Sequence, residues 1–214
     1  MKKLTYDPLN IVICGIGGQG NVLAAELVAS AMNDLEYRVA EGETYGAAQR
    51  GGSVMSHVRV SADTDLGVLI PAGEAHFIIG FEPLETLRIA RRYANPGTLI
   101  IYDPRPIYPQ SVLRGRTVYP DLNALKAEIA SLCRKAIEVP AADIAMECGD
   151  SRAANIALIG AFSCLDGAPL DTKALEEVVA QRFKGAVLAF KGAVLALNQK
   201  VFAMGCEAAK EAAK

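Results

Sequence analysis

Four glycines fall within six residues in the stretch 10–20, NIVICGIGGQG, directly after the apolar run Ile11, Val12, Ile13 and Cys14. Gly15, Gly17 and Gly20 match the G-x-G-x-x-G spacing, in which glycines permit a tight turn, close approach of a phosphate and close packing of the next helix. A helix starting near Gly18 would aim its unpaired N–H groups at that turn, a placement that suits an anion. With Gly18 and Gln19, these residues form a first candidate binding element. Residues 42–52, GETYGAAQRGG, form a second: Gly46, Gly51 and Gly52 make the backbone permissive, and Thr44, Gln49 and Arg50 offer donors. Arg50, set among glycines, could place its planar fork against a phosphate, carboxylate or carbonyl, or could be the surface arginine of a solvated loop. His57, on the polar face of an alternating strand, could be an acid, a base or a contact residue; a solvated or interface histidine is the plainer reading, and His76 reads as structural. Asp103-Pro104 stands where open α/β sheets bind ligands, and Asp-Pro is also a common strand terminator.

The elements that must position these residues follow from the pattern of apolar positions. Residues 11–14 read as a buried strand, 21–33 as a helix with Leu23 and Leu27 on one line and Val28 and Met32 on another, and 36–40 as a second strand. Residues 53–60 alternate, with Val54, Val58 and Val60 on one face, which predicts a strand exposed on its other side. Residues 76–80 and 98–102 are further buried strands; between them Glu82-Pro83 opens a helix that runs to about Tyr93. Short strands are predicted at 117–119 and 136–139, a helix at 122–135 between them, and a buried helix at 151–165. This repeating strand, turn and helix order predicts a Rossmann-like open α/β fold, a mostly parallel sheet with helices on both faces, plus a C-terminal helical appendage. The division is 1–170 for the α/β domain and 171–214 for the helical extension.

The tail carries an internal repeat, FKGAVLA at 183–189 and again, letter for letter, at 190–196. Seven residues are about two helical turns, so Phe183, Val187, Phe190, Val194, Leu197, Val201 and Met204 form an apolar stripe of heptad type. Gly185 and Gly192 oppose a helix by about 1 kcal/mol each, whereas burying one Phe or Leu is worth about 1.5–3 kcal/mol. Burial decides for a helix, which either completes the protein's own core or docks on another subunit.

At 214 residues the chain can bury one sizeable core, and its net charge of -2 provides no concentrated basic face for nucleic acid. Lys2 and Lys3 ahead of Ala29-Ser30-Ala31 superficially suggest a secretory leader, but Asp7, Pro8, Gln19, Asn21 and Glu26 interrupt it, and no run is long and apolar enough for a bilayer. A cytoplasmic protein, not associated with membrane, is expected. The five cysteines are widely spaced without a C-x-x-C pair, which fits reduced thiols that act mostly as small buried hydrophobes.

Together, GIGGQG, GETYGAAQRGGSVMSHVRVS and GFEPLETLR resemble the gamma-type domain of the 2-oxoacid:ferredoxin oxidoreductases, and the Ala48-Gln49-Arg50-Gly51-Gly52 form followed by Ser56-His57-Val58-Arg59 points to the small, beta subunit of the indolepyruvate branch. The likeness covers most of residues 11–160, including GDSRAANIALIGA at 149–161, but not the FKGAVLA duplication. It implies a subunit of a thiamine diphosphate enzyme that cleaves a 2-oxoacid, joins the acyl group to coenzyme A and passes electrons through iron-sulfur clusters to ferredoxin. The thiamine and the clusters are implied to sit on a large partner subunit. In agreement, this chain lacks the G-D-G…N-N thiamine signature, since Gly149-Asp150 is followed by Ser151, and it is expected to be inactive alone. Its implied contribution is to wall the active site and help receive coenzyme A or the oxoacid through Gly15, Gly17, Gly18, Gln19, Gly20, Thr44, Gly46, Gln49, Arg50, Gly51 and Gly52, with no catalytic or metal-binding residue of its own. Two other readings stay open: a self-contained NAD(P)- or FAD-binding oxidoreductase with Glu41 on the ribose, and a non-catalytic assembly subunit.

Overall fold

A computed structural model describes residues 4–45, 52–184 and 191–213. In chain order the elements are β1 (Leu9–Ile16), α1 (Asn21–Asp34), β2 (Arg38–Tyr45), β3 (Ser53–Ser61), β4 (Phe77–Gly80), α2 (Pro83–Tyr93), β5 (Leu99–Tyr102) and α3 (Gln110–Leu113). There follow α4 (Leu122–Ser131), β6 (Lys135–Glu138), α5 (Ala141–Glu147), a 3-10 turn (Ser151–Ala153), α6 (Ala154–Ser163), α7 (Thr172–Lys184) and α8 (Lys191–Ala212). The strands form one sheet in the order β2-β3-β1-β4-β5-β6. β1, β4, β5 and β6 are parallel neighbours, and β3 runs against both β1 and β2. The predicted open, mostly parallel α/β sheet is thus present, with its single reversed strand at β3.

Two apolar cores cover the two faces. One joins Ile11, Ile13 and Val58 to α1, α6, α7 and α8; the other joins Val12, Cys14, Ile78 and Ile100 to α2 and α4. β1 is buried along its whole length because it sits in mid-sheet between both layers. The helix predicted after Glu82 forms as expected: the Glu82 carboxylate caps the Glu85 N–H at 2.9 Å and Pro83 occupies the first turn.

Four expectations change. β3 is covered on both sides, because the Arg59 guanidinium grips Asn10 Oδ1 and the carbonyls of Gly67 and Leu69, drawing that segment over the strand. His57 is therefore buried rather than solvated, its Nδ1 accepting from Ile70 N at 3.3 Å and its ring edge-on to Tyr93. No strand forms at 117–119, where Tyr119 turns inward to donate its hydroxyl to Glu82. The polar stretch expected to begin a loop at 42 instead extends β2 to Tyr45.

The tail packs against α6, with its buried face centred on Val201, Phe202, Cys206 and Ala209. It is rotated slightly from the predicted stripe, since Val194, Leu197 and Met204 are only partly buried; Val187 and Phe190 lie outside the described residues. The rotation brings two glycines into the seam: a Cβ on Gly160 would stand 2.0 Å from Phe202 O, and one on Gly205 2.0 Å from Ala157 O. The same crossing joins Cys164 to Cys206 as a disulfide with Cα atoms 5.5 Å apart, so these two are not the reduced thiols expected from the scatter of the five cysteines. Cys14, Cys133 and Cys148 are free thiols.

Candidate functional site

The strand order fixes where a cleft can open. From β1 the chain crosses through α1 toward the β2 edge, and from β4 it crosses through α2, on the opposite face, toward β6. Loops leaving β1 and β4 at their carboxyl ends therefore diverge, leaving a crevice at the switch point. A cleft of about 470 Å³ lies there, bounded by Gly18 and Gln19, by Phe81, by Asp103 and Arg105, and by Arg152 and Ala154 at the start of α6.

The glycine turn forms one wall. Gly18, with φ of 109°, has nothing within 4 Å of where a Cβ would stand, so its backbone faces open space. The other glycines of the motif serve packing: a Cβ on Gly15 would lie 2.7 Å from Phe81 Cβ, and one on Gly20 2.5 Å from Asn155 Nδ2. Gln19 braces the turn, its Oε1 accepting from Ile16 N at 2.7 Å and its Nε2 donating to Phe81 O at 2.8 Å. Gly17 N donates to Gly52 O at 2.8 Å, which sets the carboxyl end of the β2–β3 connection directly beside the turn. Thr44 is exposed near the end of β2, paired in register with Met55. The structure thus brings Gly15, Gly17, Gly18, Gln19, Gly20 and Gly52 together, and sets Thr44 on the outer strand of the same hairpin. Gly46, Gln49, Arg50 and Gly51 lie outside the described residues.

The facing wall was only partly visible in the sequence. Asp103 is buried at the end of β5, where Oδ1 accepts from Arg105 N at 2.9 Å and Oδ2 from Ala142 N at 2.8 Å. Burial raises its carboxyl pKa, against the pull of those two N–H groups. Asp103 thereby ties the β5 loop to α5 and orients Arg105, whose guanidinium lies 3.5 Å from Asp143. Arg152, whose side chain is 89% exposed, forks onto Asp150, and this pairing holds the Asp150 carboxyl below its ordinary value. α1 has no side-chain cap, whereas the helical run that leads into α6 is capped by Asp150 Oδ1, which accepts from Arg152 N at 3.0 Å, so the cleft is flanked by the uncapped start of α1 and lined by Arg105 and Arg152. Such a site can hold an anion. Arg105 and Asp103 carried a signal in the Asp-Pro-Arg sequence after a strand, and Arg152 in the 149–161 stretch, but only the fold shows that they face the glycine turn.

Glu41, the proposed ribose ligand of a dinucleotide site, is mid-strand in β2 opposite Val58. The reversed strand β3 separates it from β1, a displacement of about two strand spacings, near 10 Å. Among the described residues no three His, Cys, Asp or Glu side chains gather as a metal site, so this part of the chain has no donor set for a cluster. No described helix is long and apolar enough to cross a membrane.

An α/β domain with a cleft at the switch point of its sheet is the class these features define, and the chain belongs to the pyruvate ferredoxin/flavodoxin oxidoreductase family, which it matches over residues 10–208. It is 36% identical over 203 residues to indolepyruvate oxidoreductase subunit IorB of Thermococcus kodakarensis, covering 94% of this chain and 96% of that one. A similar subunit IorB from Methanothermobacter thermautotrophicus is 30% identical over 166 residues, covering 78% and 83%. In fold it is similar to the gamma subunit of a keto/oxoacid ferredoxin oxidoreductase from Geobacter sulfurreducens, with a TM-score of 0.66, 23% identity and coverage of 95% and 99%. It also matches 32% of the length of a 2-oxoglutarate:ferredoxin oxidoreductase chain from Magnetococcus marinus, whose structure holds 2-oxoglutarate, coenzyme A and succinyl-CoA, with a TM-score of 0.69, 25% identity and coverage of 96% of this chain. The resemblance read from the glycine and arginine motifs is borne out: this is a small subunit of a 2-oxoacid:ferredoxin oxidoreductase.

Proposed function

We propose that this chain is the cluster-free small subunit of a cytoplasmic indolepyruvate (aryl pyruvate):ferredoxin oxidoreductase, and that it walls the active site and receives coenzyme A. The observation that carries the reading is the convergence of the Gly18 turn, the uncapped start of α1, Arg105 and Arg152 on one cleft at the switch edge of the sheet. Thiamine diphosphate, carried by the large partner with the iron-sulfur clusters, supplies the decarboxylation chemistry, and ferredoxin takes the electrons. This chain's residues bind and orient: the Gly18 turn offers backbone N–H groups to a pyrophosphate or carboxylate, and the arginines exchange their carboxylate partners, Asp143 and Asp150, for the ligand. Thr44 and Gly52 extend that wall from the β2–β3 hairpin, and Gly46, Gln49, Arg50 and Gly51 are assigned to the same binding role from the sequence motif alone. Alone, the chain is inactive.

In the reconstituted complex, Arg152→Ala with Arg105→Ala raises KM for coenzyme A roughly 10-fold with little change in kcat, as expected for charge-assisted contacts at a solvated rim. Unchanged apparent affinities for both coenzyme A and the oxoacid would make the cleft structural. Tight stoichiometric binding of NAD(P)H or FAD to the isolated chain would instead favour a self-contained dinucleotide enzyme, which the position of Glu41 disfavours.

A further inference from the structure

A small subunit of a larger oxidoreductase must bury part of its surface against its companion, and we propose that this chain does so through residues 104–120, an inference that rests on the partner-subunit reading above. The segment reads PRPIYPQSVLRGRTVYP. It holds Arg105, Arg114 and Arg116 and not one acidic residue, in a chain whose net charge is -2. It also concentrates apolar side chains in water: Val118 is 91% exposed and Leu113 64%, with Ile107 and Tyr108 nearly half exposed beside them. Large apolar side chains left in water within one short segment mark a contact site.

The segment is nonetheless held in place. The buried Glu82 carboxylate accepts from Ile107 N at 3.4 Å and from the Tyr119 hydroxyl, so one side chain pins both ends. Arg116 N donates to Ser111 O at 2.8 Å, and the Tyr108 and Tyr119 rings meet edge to face at 5.3 Å. Exposed apolar groups on a braced backbone lose little further freedom on docking, which is what a preformed interface requires.

Position and charge select the occupant. Arg105 and Ile107 belong both to this segment and to the cleft wall, so whatever covers the segment also overhangs the cleft mouth, where a bound thioester-forming ligand would have to present its reacting end. Among the described residues Arg114 and Arg116 make no ion pair. A second copy of this chain docked face to face would oppose those arginines with their own kind across a two-fold axis. The fitting partner is the large companion subunit, through an apolar patch rimmed by carboxylates.

Purified large subunit and purified small subunit are mixed, and association is followed by biolayer interferometry at 50 and 300 mM salt. Leu113→Asp with Val118→Asp weakens association about 100-fold, and Arg114→Glu with Arg116→Glu weakens it about 10-fold at low salt and flattens the salt dependence. Leu69→Asp, in the exposed apolar pair of the segment that covers β3, leaves association unchanged. All three variants keep the thermal unfolding of the parent, because the altered side chains are exposed. Wild-type association by both segment variants, or loss with Leu69→Asp alone, overturns the docking surface. A small subunit that ignores the large chain altogether overturns the partner reading itself, and the coenzyme A affinity of the Arg105 and Arg152 variants in the assembled complex tests the cleft separately.

Discussion

Placing one methyl group at two sites on α8 should move stability in opposite directions. At Gly205 the added Cβ would meet the backbone carbonyl of Ala157 at 2.0 Å, a contact that no rotamer change relieves. Restoring an ordinary separation moves α8 off α6 by about 1 Å. A gap of that size forfeits about a quarter to a half of the dispersion well of each contact, including those of Val201 and Phe202, worth about 1.5–3 kcal/mol apiece in burial. With overpacking strain of about 1–3 kcal/mol, Gly205→Ala should cost roughly 3 kcal/mol, or about 6–12 °C in Tm for a chain of this size. Gly192 lies on the same helix with nothing within 4 Å of its would-be Cβ. Gly192→Ala, in the first turn of α8, should therefore stabilise the protein slightly, by about 0.5 kcal/mol, through helix propensity alone. Paired thermal and urea unfolding of the two variants provides the measurement. Equal melting temperatures for Gly205→Ala and the parent would refute the close seam, and with it the view that the tail shares a core with β1.

Three further outcomes follow from the same structure. Thiol titration of the unfolded chain should find three groups before reduction and five after, and by chain-entropy arguments for a loop of 42 residues, Cys206→Ser should lower unfolding free energy by about 4 kcal/mol in the absence of reductant; a parent indifferent to reductant would refute the bond. Burial lowers the pKa of both His57 and His76, and Arg92 and Arg59 add to the effect at His57. A folded value below the unfolded one of about 6.5 means stability present above that pH and lost as pH falls through the folded value, so His57→Asn, which keeps an acceptor for Ile70 N, should flatten the acid side of the stability profile. Iodoacetamide should label the half-exposed Cys133 well before Cys14, whose thiol burial pushes up strongly; equal rates would show that the sheet core opens.

The strands and helices flanking Gly15–Gly20 were legible because they rest on local signals, an apolar run that stops at glycines and a Glu-Pro pair that starts a helix. The β3 face was misread because alternation reports only what lies within a strand. Its cover comes from residues 67–70, recruited by Arg59, and no local pattern announces that recruitment. Cys164 and Cys206 failed for the same reason: their meeting depends on how two distant helices cross. In the cleft, the glycine wall was readable by spacing, whereas Asp103, Arg105 and Arg152 acquire meaning only when the sheet order sets three loop ends against one another.

Glu82 sits at a mechanical junction. Tyr119 leans on its carboxylate, Phe81 next to it in the chain lends its carbonyl to Gln19, and Gln19 in turn clasps the amide of Ile16 at the root of the glycine turn. Five residues thus make a short strut from the arginine-rich outer segment to the floor of the crevice. A companion that settles on one end would find the other already stiff, so assembly could register the pocket without any hinge having to swing.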